Sequence, residues 1–152
     1  MLLALKTVTR IEKESFNKLI NEATDALDEI KSIVSMDINE FSADRRARYS
    51  LRYSIVVIVE ALADLSVTIL EKDFNDAAES YREAFLKLVN HKVTSLNTFN
   101  SIAKLVSLRN QIAYRYWTID DLRIHREAKE NGVEAIKHFI KEVERYVETK
   151  DP

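Results

Sequence analysis

From about residue 9 to residue 34, Phe16, Leu19, Ile20, Ala23, Leu27, Ile30 and Val34 recur at spacings of three and four. That spacing places them along one side of an α-helix and predicts a buried stripe. Lys13, Lys18, Glu22 and Glu29 fall largely outside it, as a solvated face requires. Residues 35–41 read as a loop, with Ser42 or Asp44 available to cap the next helix.

A second helix is predicted over about residues 43–70. It contains the one local conflict in the chain: Ile55, Val56, Val57, Ile58 and Val59 form a β-branched run that in isolation reads as a buried strand. No breaker bounds the run, and helical spacing continues on both sides through Arg45, Arg48 and Arg52 before it and Leu62, Leu65 and Ile69 after it. Burial outweighs β-branched propensity costs of a few tenths of a kcal/mol per residue. Apolar on nearly all sides from Tyr53 to Ala63, this helix is expected at the centre of the fold, with part of it against a second subunit.

Residues 72–75 read as a turn, with Asn75 or Asp76 capping a third helix whose inner side carries Tyr81, Ala84, Phe85, Leu88 and Val89. Residues 90–94 lead to a fourth helix with Phe99, Ile102, Ala103, Val106 and Ala113 as its stripe. Thr118 or an aspartate of the Asp120-Asp121 pair caps a fifth, which runs to about Val147 over Ile136, Phe139, Ile140, Val143 and Val147. Gly132 lies inside this last helix at a cost of about 1 kcal/mol against alanine, which points to close packing there.

Composition narrows the architecture. With 1 Gly and 1 Pro in 152 residues, 46% apolar and 32% charged, the chain lacks the turn punctuation of hairpins. The expectation is one all-α domain over residues 1–152, an antiparallel up-and-down bundle of about five helices. The net charge of −2 supplies no global attraction to nucleic acid or anionic lipid, so RNA binding would need a local basic cluster. Without cysteine, disulfides, thiolate metal sites and cysteine nucleophiles are excluded. Met1, Leu2, Leu3, Ala4 and Leu5 are too few for a signal-peptide core, and no apolar run reaches the roughly 18–20 residues that span a bilayer. A cytoplasmic protein without membrane association is expected.

Chemistry concentrates in Arg109, Asn110, Gln111, Ile112, Ala113, Tyr114, Arg115 and Tyr116, late in the fourth helix. On a regular helix Arg109, Ala113 and Tyr116 share a ridge, whereas Arg109 and Tyr114 stand about 140° apart. A shared target for those two would need a bend at the helix end or a second copy of the chain related by a two-fold axis.

This octapeptide resembles the signature of the HEPN superfamily, in particular its HepT-like toxins: Arg, four residues, His, one residue, Tyr, usually with Asn after the Arg. Arg109, Asn110 and Tyr116 match, and Tyr114 stands at the histidine position. The likeness extends over about residues 10–148 and implies a HEPN-like helical fold, a homodimer, metal-independent endoribonuclease activity on RNA, and a minimal nucleotidyltransferase antitoxin as partner. It also implies that this partner adenylylates the tyrosine matching Tyr116. Arg109 would bind phosphate oxygens bidentately, Asn110 would orient a phosphate or the Arg109 side chain, and Arg115 would add charge. Tyr114 is a poor substitute for a histidine base, since a phenol of pKa about 10 is roughly 0.1% ionised at neutral pH. Loss of a general base costs about 10²–10⁴ in rate. No cofactor and no metal are implied.

Other polar groups carry two readings each. Arg45, Arg48 and Arg52 share a helix face and would extend a phosphate track, or simply form a solvated helix start. Glu60 and Asp64 would pair with arginines such as Arg109 rather than hold a metal. His91, His125 and His138 form no evident dyad, and Lys137, Lys141 and Arg145 read as a solvated stripe. Three functions remain: a toxin-type protein of a toxin–antitoxin pair, an inactive RNA- or nucleotide-binding partner of a nucleotidyltransferase, and a structural dimer whose octapeptide seals the interface.

Overall fold

The computed structural model describes residues 10–150. The Met1 to Leu5 start and the expected helix start at Thr9 lie outside the described residues. Helix α1 (Arg10–Val34) buries Phe16, Ile20, Ala23, Leu27, Ile30 and Val34, the stripe expected from the sequence, and packs along α3.

The segment expected to be a loop contains a short helix, α2 (Ile38–Ala43). Asp37 Oδ1 accepts from the amides of Asn39 at 2.9 Å and Glu40 at 3.4 Å, and Phe41 anchors the turn at 0% exposure. A cap and one buried ring suffice for six residues, too few to show a helical period.

Helix α3 (Arg45–Phe74) begins where Asp44 accepts from the Ala47 amide at 3.1 Å. Its β-branched run is helical: Ile55, Ile58 and Val59 are buried, while Val56 and Val57 are partly covered. It runs four residues beyond the predicted end and stops at Asn75, which takes left-handed backbone at φ 47°. Asn75 therefore closes α3 instead of opening the next helix. Contrary to the sequence expectation, α3 is long and apolar enough by length and composition to cross a membrane. Here it is the central helix, with Leu51, Leu62, Leu65 and Leu70 fully enclosed against α1, α4 and α5. Truncating any of those leucines to alanine would cost about 2–5 kcal/mol. Tyr53, by contrast, is 72% exposed.

Helix α4 (Tyr81–Asn90) is capped by Ser80, not by Asn75 or Asp76: Ser80 Oγ accepts from the Glu83 amide and Glu83 Oε1 accepts from the Glu79 amide. Helix α5 (Leu96–Tyr114) buries Phe99, Ile102 and Val106 as expected, but its inner face then continues through Leu105, Leu108 and Ile112. Ala113, assigned to the stripe from sequence, is exposed.

After a 3₁₀ turn (Tyr116–Thr118), α6 (Asp121–Glu127) starts on Asp120, which accepts from the Arg123 amide. The expected fifth helix is α6, a π turn (Ala128–Gly132) and α7 (Val133–Lys150) in succession. A β-carbon at Gly132 would stand 3.4 Å from Leu105 Cδ1, an ordinary van der Waals contact, so the packing expected there is no closer than an alanine would tolerate. Ile136, Phe139, Ile140, Val143 and Val147 face inward, and Phe139 meets Phe85 edge-on at 5.5 Å. The described residues are all-helical, without strands.

Candidate functional site

Arg109 sits one and a half turns before the end of α5, under the first turn of α4 and against the middle of α3. Its side chain is 11% exposed. Nη2 donates to Glu60 Oε2 at 3.3 Å, and Nη1 donates to Asn110 Oδ1 at 3.2 Å and to Tyr114 Oη at 3.4 Å. The guanidinium carbon lies 4.9 Å from the Tyr81 ring centroid and 5.5 Å from that of Tyr114. Nε is buried without a hydrogen-bond partner.

Burial opposes the charge of Arg109, but the hydrogen bonds to Tyr114 and Glu60 outweigh it and raise the pKa. The cation is therefore permanent. Its bonds are long for charge-assisted ones, which ordinarily measure about 2.7–2.9 Å. Such contacts hold the group in place while leaving it exchangeable for a better acceptor.

Of the two routes expected to bring Arg109 and Tyr114 together, a bend at the helix end or a second copy of the chain, neither is needed: they meet within one molecule at the end of α5. Five residues along a helix separate side-chain bases by about 140°, but both side chains are long enough to lie toward each other around the surface. Tyr114 is also the last residue of α5, where no following turn crowds it. The ridge expected to join Arg109, Ala113 and Tyr116 is broken for the same reason. The α-helix stops at Tyr114, Arg115 takes non-helical backbone, and Tyr116 opens the 3₁₀ turn. Arg115 is exposed in that junction.

The cleft beside Arg109 has a volume of about 350 Å³. Ser80, Tyr81 and Arg82 of the α4 start form one wall, and Val106, Arg109, Asn110 and Tyr114 of α5 form the other. The sequence pattern marks Tyr81 only as a core residue and gives Ser80 and Arg82 no role. No local signal marks them, because only the packing of α4 on α5 brings them to Arg109. Glu60 is the pairing residue expected for Arg109, whereas Asp64 is largely exposed and pairs with no arginine among the described residues; partial desolvation of its carboxylate, then the charges of Glu60 and Glu22, raise its pKa.

The second basic cluster lies apart from this cleft. Arg52 Nε and Nη2 donate to the two oxygens of Asp121 at 2.8 and 2.6 Å, and Arg52 also lies 4.9 Å from the Tyr49 ring. Arg48 Nε is 3.6 Å from Asp121, and its Nη1 donates to the Ser42 carbonyl. Arg45 is exposed. Two of the three arginines thus tie α3 to the start of α6 instead of lining the Arg109 cleft. Arg52 borders a shallow groove with Tyr49, Tyr53, Val56 and Ile112. The histidines are dispersed: His91 meets Asp76 at 3.0 Å, His125 is buried against Phe41, and His138 is exposed. Among the described residues no group of three or more His, Cys, Asp or Glu is placed to hold a metal.

Residues 23–143 match the family model described as Ribonuclease HepT-like. Comparison with curated proteins finds no match. Among solved structures, YutE of Bacillus subtilis, a cytosolic protein of unknown function, superimposes with a TM-score of 0.79 at 19% identity, over 91% of this chain and 92% of that one. The tri-AMPylated HEPN toxin of Shewanella oneidensis, solved in complex with its MNT antitoxin, gives 0.77 at 19% identity over 86% and 96%. A toxin–antitoxin structure with AMP-PNP gives 0.75 at 20% identity over 84% and 96%. At these identities the structures speak to the fold, while the family model covers most of the sequence: the chain belongs to the HepT-like family of the HEPN superfamily.

Proposed function

We propose that this chain is the toxin-type component of a toxin–antitoxin pair whose other member is a minimal nucleotidyltransferase, and that it acts on RNA as a single-domain cytoplasmic homodimer. The Arg109 cleft carries this reading. A permanent cation, held by exchangeable bonds beside Asn110 and between two aromatic rings, suits a phosphate better than it suits the fold. The AMP-bearing toxin of similar fold, in complex with its MNT antitoxin, supports the partner. Tyr116 is then the AMP acceptor: its phenolic oxygen attacks the α-phosphorus of ATP on the partner, and pyrophosphate leaves. The dimer would cover the groove of Tyr49, Tyr53, Val56 and Ile112, where Tyr53 stands exposed.

Metal-free RNA cleavage requires a base for the 2′-hydroxyl proton and a cation for the phosphorane. Arg109 supplies the second role. Tyr114 is ill-suited to the first, and its hydroxyl already faces Arg109, so cleavage is expected to be weak or lost. That same contact favours a second reading, an inactive RNA- or nucleotide-binding partner of the nucleotidyltransferase.

Purified chain incubated with structured RNA in chelator separates the two. Cleavage abolished by Arg109→Ala supports the active toxin. No cleavage, with activity appearing in Tyr114→His, supports the lapsed nuclease. Mass spectrometry after incubation with ATP and the nucleotidyltransferase should place AMP on Tyr116; label confined to other residues refutes that assignment. Sedimentation as a monomer at micromolar concentration refutes the dimer.

A further inference from the structure

Arg82 is the accessible cation of the α4–α5 cleft. It is exposed, lies with its guanidinium carbon 5.3 Å from the Phe99 ring centroid, and has no carboxylate partner among the described residues. Arg109, deeper in the cleft, already meets Glu60, Asn110 and Tyr114. No carboxylate lines the cleft among the described residues, and with Arg109 paired to Glu60 behind it the positive charge of the lining is carried by Arg82.

Tyr114 complements Arg82. Its hydroxyl is held by Arg109 Nη1, yet the residue is 66% exposed at the edge of the cleft. A held aromatic face across the cleft from a guanidinium without a carboxylate partner, resting on the Phe99 ring, is the pair of features that holds an unstacked nucleotide, with the base on the ring and the phosphate on the cation. The volume of about 350 Å³ is at the small end of ligand clefts and suits one nucleotide unit. Bases inside an A-form duplex stay stacked and offer no face to such a ring.

We propose that this cleft binds an unstacked nucleobase together with its own phosphate, the base on Tyr114 and the phosphate on Arg82, while Arg109 fixes the tyrosine ring. The proposal rests on the nucleotide-facing reading of the Arg109 cleft. It gives position 114 a role in recognition where a histidine would have served proton transfer. The chemistry is shared by a free mononucleotide and by single-stranded RNA.

Fluorescence anisotropy of an end-labelled single-stranded oligoribonucleotide provides the test, with AMP, ribose 5-phosphate and duplex RNA as competitors. Arg82 and Tyr114 are both exposed, so their variants should fold, which thermal melts would verify. Tyr114→Leu and Arg82→Gln should each weaken binding at least about fivefold, whereas Tyr114→Phe, which loses the hydroxyl bond but keeps the ring and its contact with the Arg109 guanidinium, should weaken it less than Tyr114→Leu does. AMP competing as well as the unlabelled strand identifies a free nucleotide as ligand; displacement by the strand alone identifies single-stranded RNA. Wild-type binding by Tyr114→Leu or Arg82→Gln overturns the proposal, as does ribose 5-phosphate matching AMP or duplex matching single strand. If Arg109→Ala loses binding while Arg82→Gln retains it, the proposal fails and the nucleotide-facing cleft stands. Unchanged binding in all three variants, or none by the native chain, removes both.

Discussion

Replacing Asp121 by asparagine tests whether Arg52 is an architectural residue or part of an RNA track. The pair is bidentate at 2.8 and 2.6 Å and joins α3 to α6 across 69 positions of sequence. Hydrogen bonds to charged groups contribute about 1.5–3 kcal/mol. Side-chain exposures of 26% for Arg52 and 14% for Asp121 allow solvent screening, which lowers the expectation to about 1–2 kcal/mol. For a chain of this length that is a fall in melting temperature of about 2–8 °C. Urea unfolding of Asp121→Asn, Arg52→Gln and the double variant should give a coupling energy near 1 kcal/mol. RNA affinity of Arg52→Gln, measured well below its melting temperature, should match the native chain. A coupling within about 0.3 kcal/mol of zero, with weaker RNA binding and a salt slope reduced by about one, would refute the reasoning and restore the phosphate track.

Three further outcomes are expected. His125 is 4% exposed and its Nε2 lacks a partner; burial first and Lys129 second hold its pKa below the ordinary value, against backbone hydrogen bonds at Ile33 and Met36. The fold keeps it neutral while the unfolded chain takes up a proton below about pH 6.5, so stability is full above that pH and declines below it. The urea midpoint should drop between pH 7.5 and pH 5, and His125→Leu should flatten the difference; equal midpoints in the native chain would count against it. Asp76, held down to about 2 by hydrogen bonds from Lys87 and His91, should titrate by NMR near that value. Its contribution is present above about pH 4 and lost as pH falls toward 2, so an ordinary carboxyl titration would show that the bonds from Asp76, in the turn after α3, to Lys87 and His91 at the end of α4 are absent in solution. Tyr146 Oη donates to Asp73 Oδ2 at 2.5 Å, and burial with that carboxylate raises its pKa. Tyr146→Phe should cost about 1–2 kcal/mol in urea unfolding, and no loss would show the bond to be immaterial.

The inner stripes of α1 and α7 were legible because 25 and 18 residues give several turns of period. α2 was not, since one cap and one buried ring leave no period in six residues. Asn75 shows a different limit: an asparagine caps either end of a helix, and only its left-handed backbone decides which. In the cleft, Arg109, Asn110 and Tyr114 could be read as neighbours in sequence. Their convergence could not, because the reach of a side chain depends on what packs over it, and Tyr81 arrives from 28 positions away. Arg48 and Arg52 were misleading for a related reason. A helix face shows where charges point but not that Asp121 will stand opposite.

The unpartnered Nε of Arg109 has an evolutionary consequence. A nearly buried guanidinium with long bonds and one orphaned donor is a liability that an apolar side chain of similar length would relieve. Mutation without selection for function should therefore exchange Arg109 early, for leucine or methionine, while the Arg52–Asp121 pair persists as long as the fold does. Lineages that have abandoned the cleft would be recognisable by the order in which these two arginines disappear.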